Sequence, residues 1–267
     1  MKWSQEAEQA VAKVPFFVRR LVRKRVEEEA SGKGARVVEL AHVTACRTRF
    51  LANMEDEVKG YQLETCFASS GCPNRAVAGD ELVRDLEKLL AAAGLRDFLK
   101  QRVNGPLKMH HDFRVTVAEC PNACSRPQIV DIGIIGASSP AASDELCSRC
   151  GACAAVCREG AISLLPEDLD RPAIFGEKCV ACGQCVKACP SGTLVEHEAG
   201  YRMLLGGKLG RHPQLGIELP GIFSAAEILR LTDRCVAHYK EHNREGERFG
   251  DILKRTGYDF LDHDGRE

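Results

Sequence analysis

The sequence predicts an α+β fold with a cysteine-rich segment set into it, and three observations carry that prediction. Apolar residues recur at helical spacing from position 3 to about 30 and again from 82 to 90. They alternate at strand spacing from 113 to 117. All but two of the fourteen cysteines fall into short, regular groups.

In the first helical stretch Ala7, Ala10, Val11 and Val14 share one face, and Pro15 suits the first turn of a second helix. Val18, Val22 and Val26 follow at four-residue steps, and Ser31-Gly32-Lys33-Gly34 ends the run. Thr44 is placed to cap a further helix through Arg47, Phe50, Leu51 and Met54. The basic run Arg19, Arg20, Arg23, Lys24 and Arg25 is followed at once by Glu27, Glu28 and Glu29. On a helix this predicts the pairs Arg23–Glu27, Lys24–Glu28 and Arg25–Glu29, a solvated ion-paired face rather than a nucleic-acid contact. A net charge of -1 likewise gives no reason to expect a nucleic-acid partner.

Gly79-Asp80-Glu81 opens an amphipathic helix with Leu82, Leu86, Leu89 and Leu90 on one side, ending near Gly94. Phe113, Val115 and Val117 predict a strand, and positions 129–135 read as its neighbour across the loop that holds Cys120 and Cys124. Ser138-Ser139-Pro140-Ala141-Ala142-Ser143 reads as a small-residue linker.

At 267 residues with 44% hydrophobic content, the chain can bury one sizeable core beside a smaller module. Met1-Lys2-Trp3-Ser4 does not look like a signal peptide, so the cysteines read as ligands in a reducing cytoplasm rather than as disulfides. No apolar stretch reaches the roughly 18 to 20 residues of a spanning helix, so direct membrane insertion is not expected. Cys46 and Cys235 fall outside every ligand pattern and read as buried, inert thiols.

Cys66 and Cys72 have five residues between them, and Cys120 and Cys124 have three. A cuboidal iron–sulfur cluster needs four converging thiolates, which two short loops from distant segments can supply. Cys147, Cys150, Cys153 and Cys157 have gaps of two, two and three residues, a pattern repeated by Cys179, Cys182, Cys185 and Cys189 ahead of Pro190. Tight triples suit three corners of a cube, whereas structural zinc uses cysteine pairs separated by a longer loop.

This duplication is similar to the bacterial-type ferredoxins, in which the fourth cysteine of each run serves the other cluster. The likeness implies one [4Fe–4S] cluster on Cys147, Cys150, Cys153 and Cys189, and another on Cys179, Cys182, Cys185 and Cys157. Arg158 stands after Cys157, where that pattern has proline. The split set of Cys66, Cys72, Cys120 and Cys124 resembles the cluster cradle of the sirohaem-dependent nitrite and sulfite reductases, in which the last cysteine also touches the haem iron. Gly206-Gly207-Lys208-Leu209-Gly210-Arg211-His212-Pro213 and Glu247-Arg248-Phe249-Gly250 carry the same likeness, which makes the ferredoxin segment an insert, as in the anaerobic and dissimilatory-type subunits. Positions 3–44, with Pro15-Phe16-Phe17-Val18-Arg19 and Glu29-Ala30, resemble a small helical module of the light-independent protochlorophyllide reductases.

These resemblances imply a helical module at 1–45, a reductase-like domain at 46–137 and 198–267, and a ferredoxin insert at 138–197. They also imply three [4Fe–4S] clusters, sirohaem, and reduction of sulfite or nitrite with electrons from a redox partner protein, in a hetero- or homo-oligomer. Sirohaem carboxylates and an anionic substrate call for cationic donors. Arg114, Arg126, Lys108 and His111 are the catalytic candidates, with His110 beside them; imidazole suits proton donation as oxygen leaves as water. Cys124, Arg114, Arg126, Lys208 and Arg211 are the candidates for holding the tetrapyrrole. Glu119 stands directly before Cys120 where that family usually has glycine, and a negative charge there predicts a cluster harder to reduce. A second reading keeps the clusters, dispenses with sirohaem, and makes the chain an electron-transfer subunit.

Overall fold

The computed structural model describes residues 1–164 and 171–261, with the backbone alone at 16–17, 51–54 and 56. The side chains of Phe16, Phe17, Leu51 and Met54, part of the ferredoxin-like segment (165–170) and the end of the reductase-like span (262–267) lie outside the described residues. The chain divides into two units, Met1–Lys59 with Val103–His110, and Gly60–Arg102 with His111–Glu267. The helical unit therefore runs past position 45, and the cysteine duplication clusters with the sheet rather than standing apart.

In the first unit β1 (Lys2–Trp3) pairs in parallel with β2 (Val37–Val38). Between them lie α1 (Gln5–Ala12), capped by the Ser4 hydroxyl accepting from the Ala7 amide at 3.3 Å, and α2 (Phe16–Gly32), entered through Pro15. α3 (Leu40–Glu57) begins earlier than the Thr44 cap predicted. Glu39 and His42 form its capping box, and Thr44 instead donates to the Leu40 carbonyl at 3.0 Å inside the helix. Ala7, Val26, Ala30 and Val38 form the core, with Trp3, Val22, Val43 and Cys46 packed on it.

Of the three predicted charge pairs only Lys24–Glu28 forms, at 4.0 Å and exposed. Arg23 turns to Glu8 at 3.5 Å and lies over the Trp3 ring, Glu27 accepts from the Trp3 indole at 2.8 Å, and Glu29 pairs with Lys33 and Arg49. Tertiary neighbours thus take Arg23 and Glu27, and Glu29 is shared between Lys33 four residues on and Arg49 of α3, because exposed pairs four residues apart are worth only about 0.3–0.5 kcal/mol.

The second unit is built on a sheet of order β3 (Tyr61–Thr65), β4 (Phe113–Ala118), β5 (Ile132–Ala142), β8 (Leu194–Leu205) and β9 (Ile217–Glu218). β3, β4 and β5 run parallel; β5–β8 and β8–β9 are antiparallel. The expected linker at 138–143 is mostly strand: β5 continues to Ala142, with a register shift at Ser139/Pro140 where proline cannot donate to the ladder. Along it the chain enters the cysteine duplication, which holds α6 (Ala152–Val156), β6 (Ile162–Ser163) paired with β7 (Ala173–Ile174), and α7 (Gln184–Ala188), and it returns along β8.

Phe113, Val115 and Val117 face one side of the sheet and are buried, as their alternation predicts. Phe113 meets Tyr239 at 4.9 Å and Phe249 at 5.5 Å between ring centroids, which seats α8 (Ala225–His242) and α9 (Phe249–Thr256) on that side. α4 (Asp80–Ala92) buries Leu82, Leu86 and Leu90, and α5 (Leu95–Arg102) buries Leu95 and Leu99. Strand periodicity puts Arg114 and Thr116, with their register partners Gln62 and Glu64, on the opposite side.

Candidate functional site

Because β3 and β4 are parallel and Thr65 lies beside Val117, both strands release the chain at the same edge. Sheets of this kind gather ligands outside their carboxyl ends. Cys66 leaves β3 there, with its amide donating to the Val117 carbonyl at 3.1 Å, and Cys120 leaves β4 at the same end. A 3-10 turn over Phe67–Ser70 and Gly71, at φ 96°, bring Cys72 back, its amide bonding the Ala68 carbonyl at 3.2 Å. Ala123, held at φ 51°, tightens the loop to Cys124. The four thiols lie close enough to act on one another: burial first, and then Cys124, Cys66 and Cys72 as neighbours, push the Cys120 thiol up.

The duplicated segment repeats in three dimensions. Arg149 and Ala181 both take positive φ (55° and 54°), Gly151 and Gly183 both precede a short helix in the left-handed region, and Cys153 and Cys185 are both buried. Cys189 acts on Cys150 and Cys153, while Cys157 lines one cavity with Cys179, Cys182 and Cys185. Each fourth cysteine thus lies near the other triple. Backbone amides point at sulfur: Ala161 to Cys157 at 3.2 Å, Leu194 to Cys189 at 3.4 Å, Arg149 to Cys147 at 3.4 Å and Glu119 to Cys66 at 3.3 Å. Such bonds favour thiolate and are among the features that tune cluster potentials.

All fourteen cysteines are free, and among the described residues no group of His, Cys, Asp or Glu is drawn in tightly enough for one metal ion. A single zinc holds each thiolate at about 2.3 Å, whereas a cuboidal cluster takes its thiolates at separate corners. The donor sets fit the larger group. So does Gln184, whose Nε2 is buried, has no hydrogen-bond partner among the described residues, and lines the cavity with Cys157, Cys179, Cys182 and Cys185. That cavity, about 460 Å³, is also lined by Cys120, Pro121 and Asn122, so the inner thiol set and the split set share a wall.

On the sheet face away from the helices a smaller cavity of about 70 Å³ is lined by Gln62, Glu64, Arg114, Thr116, Ser125, Arg126 and Leu209. Arg114 Nε and Thr116 Oγ1 are buried without a hydrogen-bond partner among the described residues. Two guanidinium groups, one of them two residues beyond Cys124, and an orphaned hydroxyl suit an anion or a carboxylate-bearing ligand.

The other cationic candidates do not line this cavity. Lys108 belongs to the helical unit, and His111 closes a 3-10 turn ahead of β4. At about 3.3 Å per residue, that strand puts His111 roughly 20 Å from its far end, where Cys120 sits. Lys208 is 8% exposed and pairs with Asp251 at 2.5 Å, so its charge is spent within the protein. Arg211 is exposed in the turn joining Lys208 to Gln214. Cys235 is fully buried and its thiol is pushed up by burial, whereas Cys46 is only half-buried. Gln62, Glu64 and Thr116 were not singled out in the sequence; the short alternation at 61–65, once paired with β4, is the signal that locates them.

Free thiols in convergent sets on an α+β scaffold define an iron–sulfur protein. The chain belongs to the nitrite and sulphite reductase 4Fe-4S domain family, whose model matches residues 62–262. Residues 3–47 match the proto-chlorophyllide reductase 57 kD subunit model. A coenzyme F420-dependent sulfite reductase of Methanocaldococcus jannaschii is 35% identical over 195 residues, covering 72% of this chain and 28% of that one. One subunit of the anaerobic sulfite reductase of Salmonella typhimurium is 29% identical over 138 residues, covering 49% of this chain and 39% of that one. The chain thus spans less than two fifths of the length of these relatives. Among solved structures, dissimilatory sulfite reductase I aligns over 74% of this chain and 50% of its own at TM-score 0.47 and 18% identity. The NirA protein of Mycobacterium tuberculosis aligns over 74% and 26% at TM-score 0.40 and 24% identity. Among the described residues no helix is long and apolar enough to cross a membrane.

Proposed function

We propose that this chain is the electron-relaying, substrate-reducing part of a sulfite or nitrite reductase, working in the cytoplasm with a redox partner protein as donor. Two [4Fe–4S] clusters, on Cys147, Cys150, Cys153 and Cys189 and on Cys157, Cys179, Cys182 and Cys185, feed a third on Cys66, Cys72, Cys120 and Cys124. The observation that carries this reading is the cavity shared by the inner thiol set and Cys120-Pro121-Asn122, which makes the last hop short. In this order the set containing Cys150, whose thiol is exposed, receives electrons first.

Sirohaem, held beside Cys124, would supply the iron to which sulfite binds and the electronic reservoir for breaking its sulfur–oxygen bonds. The chain's own part is position and charge. Arg114 and Arg126 hold anionic oxygens on the open face of the sheet, and the Thr116 hydroxyl adds a donor at the cavity wall. Ser125 donates to the Val117 carbonyl at 2.9 Å, which fixes the turn between Cys124 and Arg126.

The test is anaerobic isolation of the full chain with iron, sulfide and tetrapyrrole counts, a visible spectrum, and sulfite and nitrite turnover with reduced methyl viologen. Iron for three clusters, sirohaem bands and turnover are expected. Full iron without tetrapyrrole or turnover would leave the electron-transfer reading in its place.

A further inference from the structure

Glu119 is 5% exposed, directly precedes Cys120, and is where several segments meet. Its amide donates to Cys66 Sγ at 3.3 Å, and its carbonyl accepts from Ala76 at 2.8 Å and Val77 at 3.4 Å. Its carboxylate lies over Gly79, where a Cβ would stand 3.0 Å from Oε1, and pairs with Arg75. Arg75 in turn pairs with Asp80 at the start of α4, and its carbonyl accepts from Lys187 Nζ of α7 at 2.5 Å. The loop carrying Cys72, the loop carrying Cys120 and the helix carrying Cys185 are thus joined at Arg75, through its own side chain and those of Glu119 and Lys187.

A negative charge beside a cluster opposes the arrival of an electron, and a positive one favours it. Here the two are locked together, so the carboxylate predicted to hinder reduction is offset at contact distance. We propose that the Glu119–Arg75 pair is a positioning device that sets the reduction potential of the cluster on Cys66, Cys72, Cys120 and Cys124. The proposal rests on the three-cluster reading above. Removing Glu119 takes one negative charge from beside the cluster and leaves Arg75 to Asp80, whereas removing Arg75 leaves both carboxylates uncompensated. The two substitutions therefore shift one midpoint in opposite directions, which a purely structural role does not produce.

The experiment uses the full chain isolated anaerobically, with iron and sulfide counted and each one-electron couple titrated with dithionite and mediators while the reduced clusters are followed by electron paramagnetic resonance. Glu119→Gln is expected to raise one midpoint, changing the reduced-to-oxidised ratio at fixed potential by roughly tenfold, about 59 mV. Arg75→Gln is expected to lower the same midpoint, Arg75→Lys to restore it, and the other two couples to hold. A short iron count in the unaltered chain would defeat the three-cluster reading. Full iron in the variants with no shift, or with shifts of one sign, would overturn the charge pair while leaving that reading intact. If Glu119→Gln fails to fold, the contrast between Arg75→Gln and Arg75→Lys decides the matter.

Discussion

Arg248 grips Asp131 with Nη2 at 2.6 Å and Nε at 3.3 Å, although the two stand 117 positions apart. The amide of Arg114 adds a third bond to Asp131 at 2.9 Å. The pair pins the start of α9 to the start of β5, the strand beside the one that delivers Cys120. Asp131 is 1% exposed, whereas the Arg248 side chain keeps about a quarter of its surface in solvent. Arg248→Ala should therefore cost about 3–5 kcal/mol, because it strands a buried carboxylate. Asp131→Asn should cost less, because the freed guanidinium can be hydrated. Chemical denaturation of both variants checks the order.

Acid should loosen the α8–α9 contact. His238 is 9% exposed, bonds Thr256 at 2.8 Å and stacks on Phe260 at 3.9 Å. Thr256 donates its hydroxyl to the Ile252 carbonyl at 3.0 Å, so His238 Nε2 is the donor in the bond between them. Burial first, and then His242, holds its pKa below the ordinary value near 6.5. The unfolded chain thus takes up the proton more readily than the folded one. Stability from this group is complete above about pH 6.5 and declines as the pH falls through the lower folded value. A His238→Gln variant should show a flatter acid limb in thermal melts between pH 5 and 7.

Gly136 is required by proximity. A Cβ there would stand 2.6 Å from the Glu119 carbonyl and 2.7 Å from Val77. Gly136→Ala must push β5 away from the loops that carry Cys72 and Cys120. Overpacking of this kind costs typically 1–3 kcal/mol, and iron from the split set should be lost on dialysis before iron from the duplicated segment. Equal loss from all sets would show that the contact does not support this loop.

Local patterns were legible in the sequence where one segment sufficed. The helix from Asp80, the strand from Phe113 and both cysteine runs follow from spacing alone, because each is set by contacts within one segment. β5 was misread at Ser138-Ser139-Pro140-Ala141-Ala142, since small residues and proline look like a linker until β8 supplies the partner strand. α8 carries its own sequence signal, the Ser224–Glu227 capping box. The meeting of the split thiols depends on the parallel register of β3 and β4, which spacing cannot give. The roles of Lys208 and His111 depend on where Asp251 and the far end of β4 fall. Charge alone marked them as candidates, and tertiary pairing decides how that charge is used.

Arg114 and Arg126 are the basic candidates that share a cavity, and they should separate anion chemistry from electron storage. Arg114→Gln leaves every cysteine in place and keeps the amide that bonds Asp131, so cluster iron and folding should hold. What is lost is a charged donor at a developing anion, a change that costs about 10²–10³ in kcat where such donors act on the transition state. Arg114→Lys keeps the charge but gives up the forked geometry and the orphaned Nε, and should recover only part of the rate. Turnover of sulfite and nitrite, measured beside iron content and the cluster midpoints, distinguishes the cases. Slow turnover with unchanged iron and midpoints places Arg114 at the substrate, and turnover that falls only in step with iron places it in the scaffold.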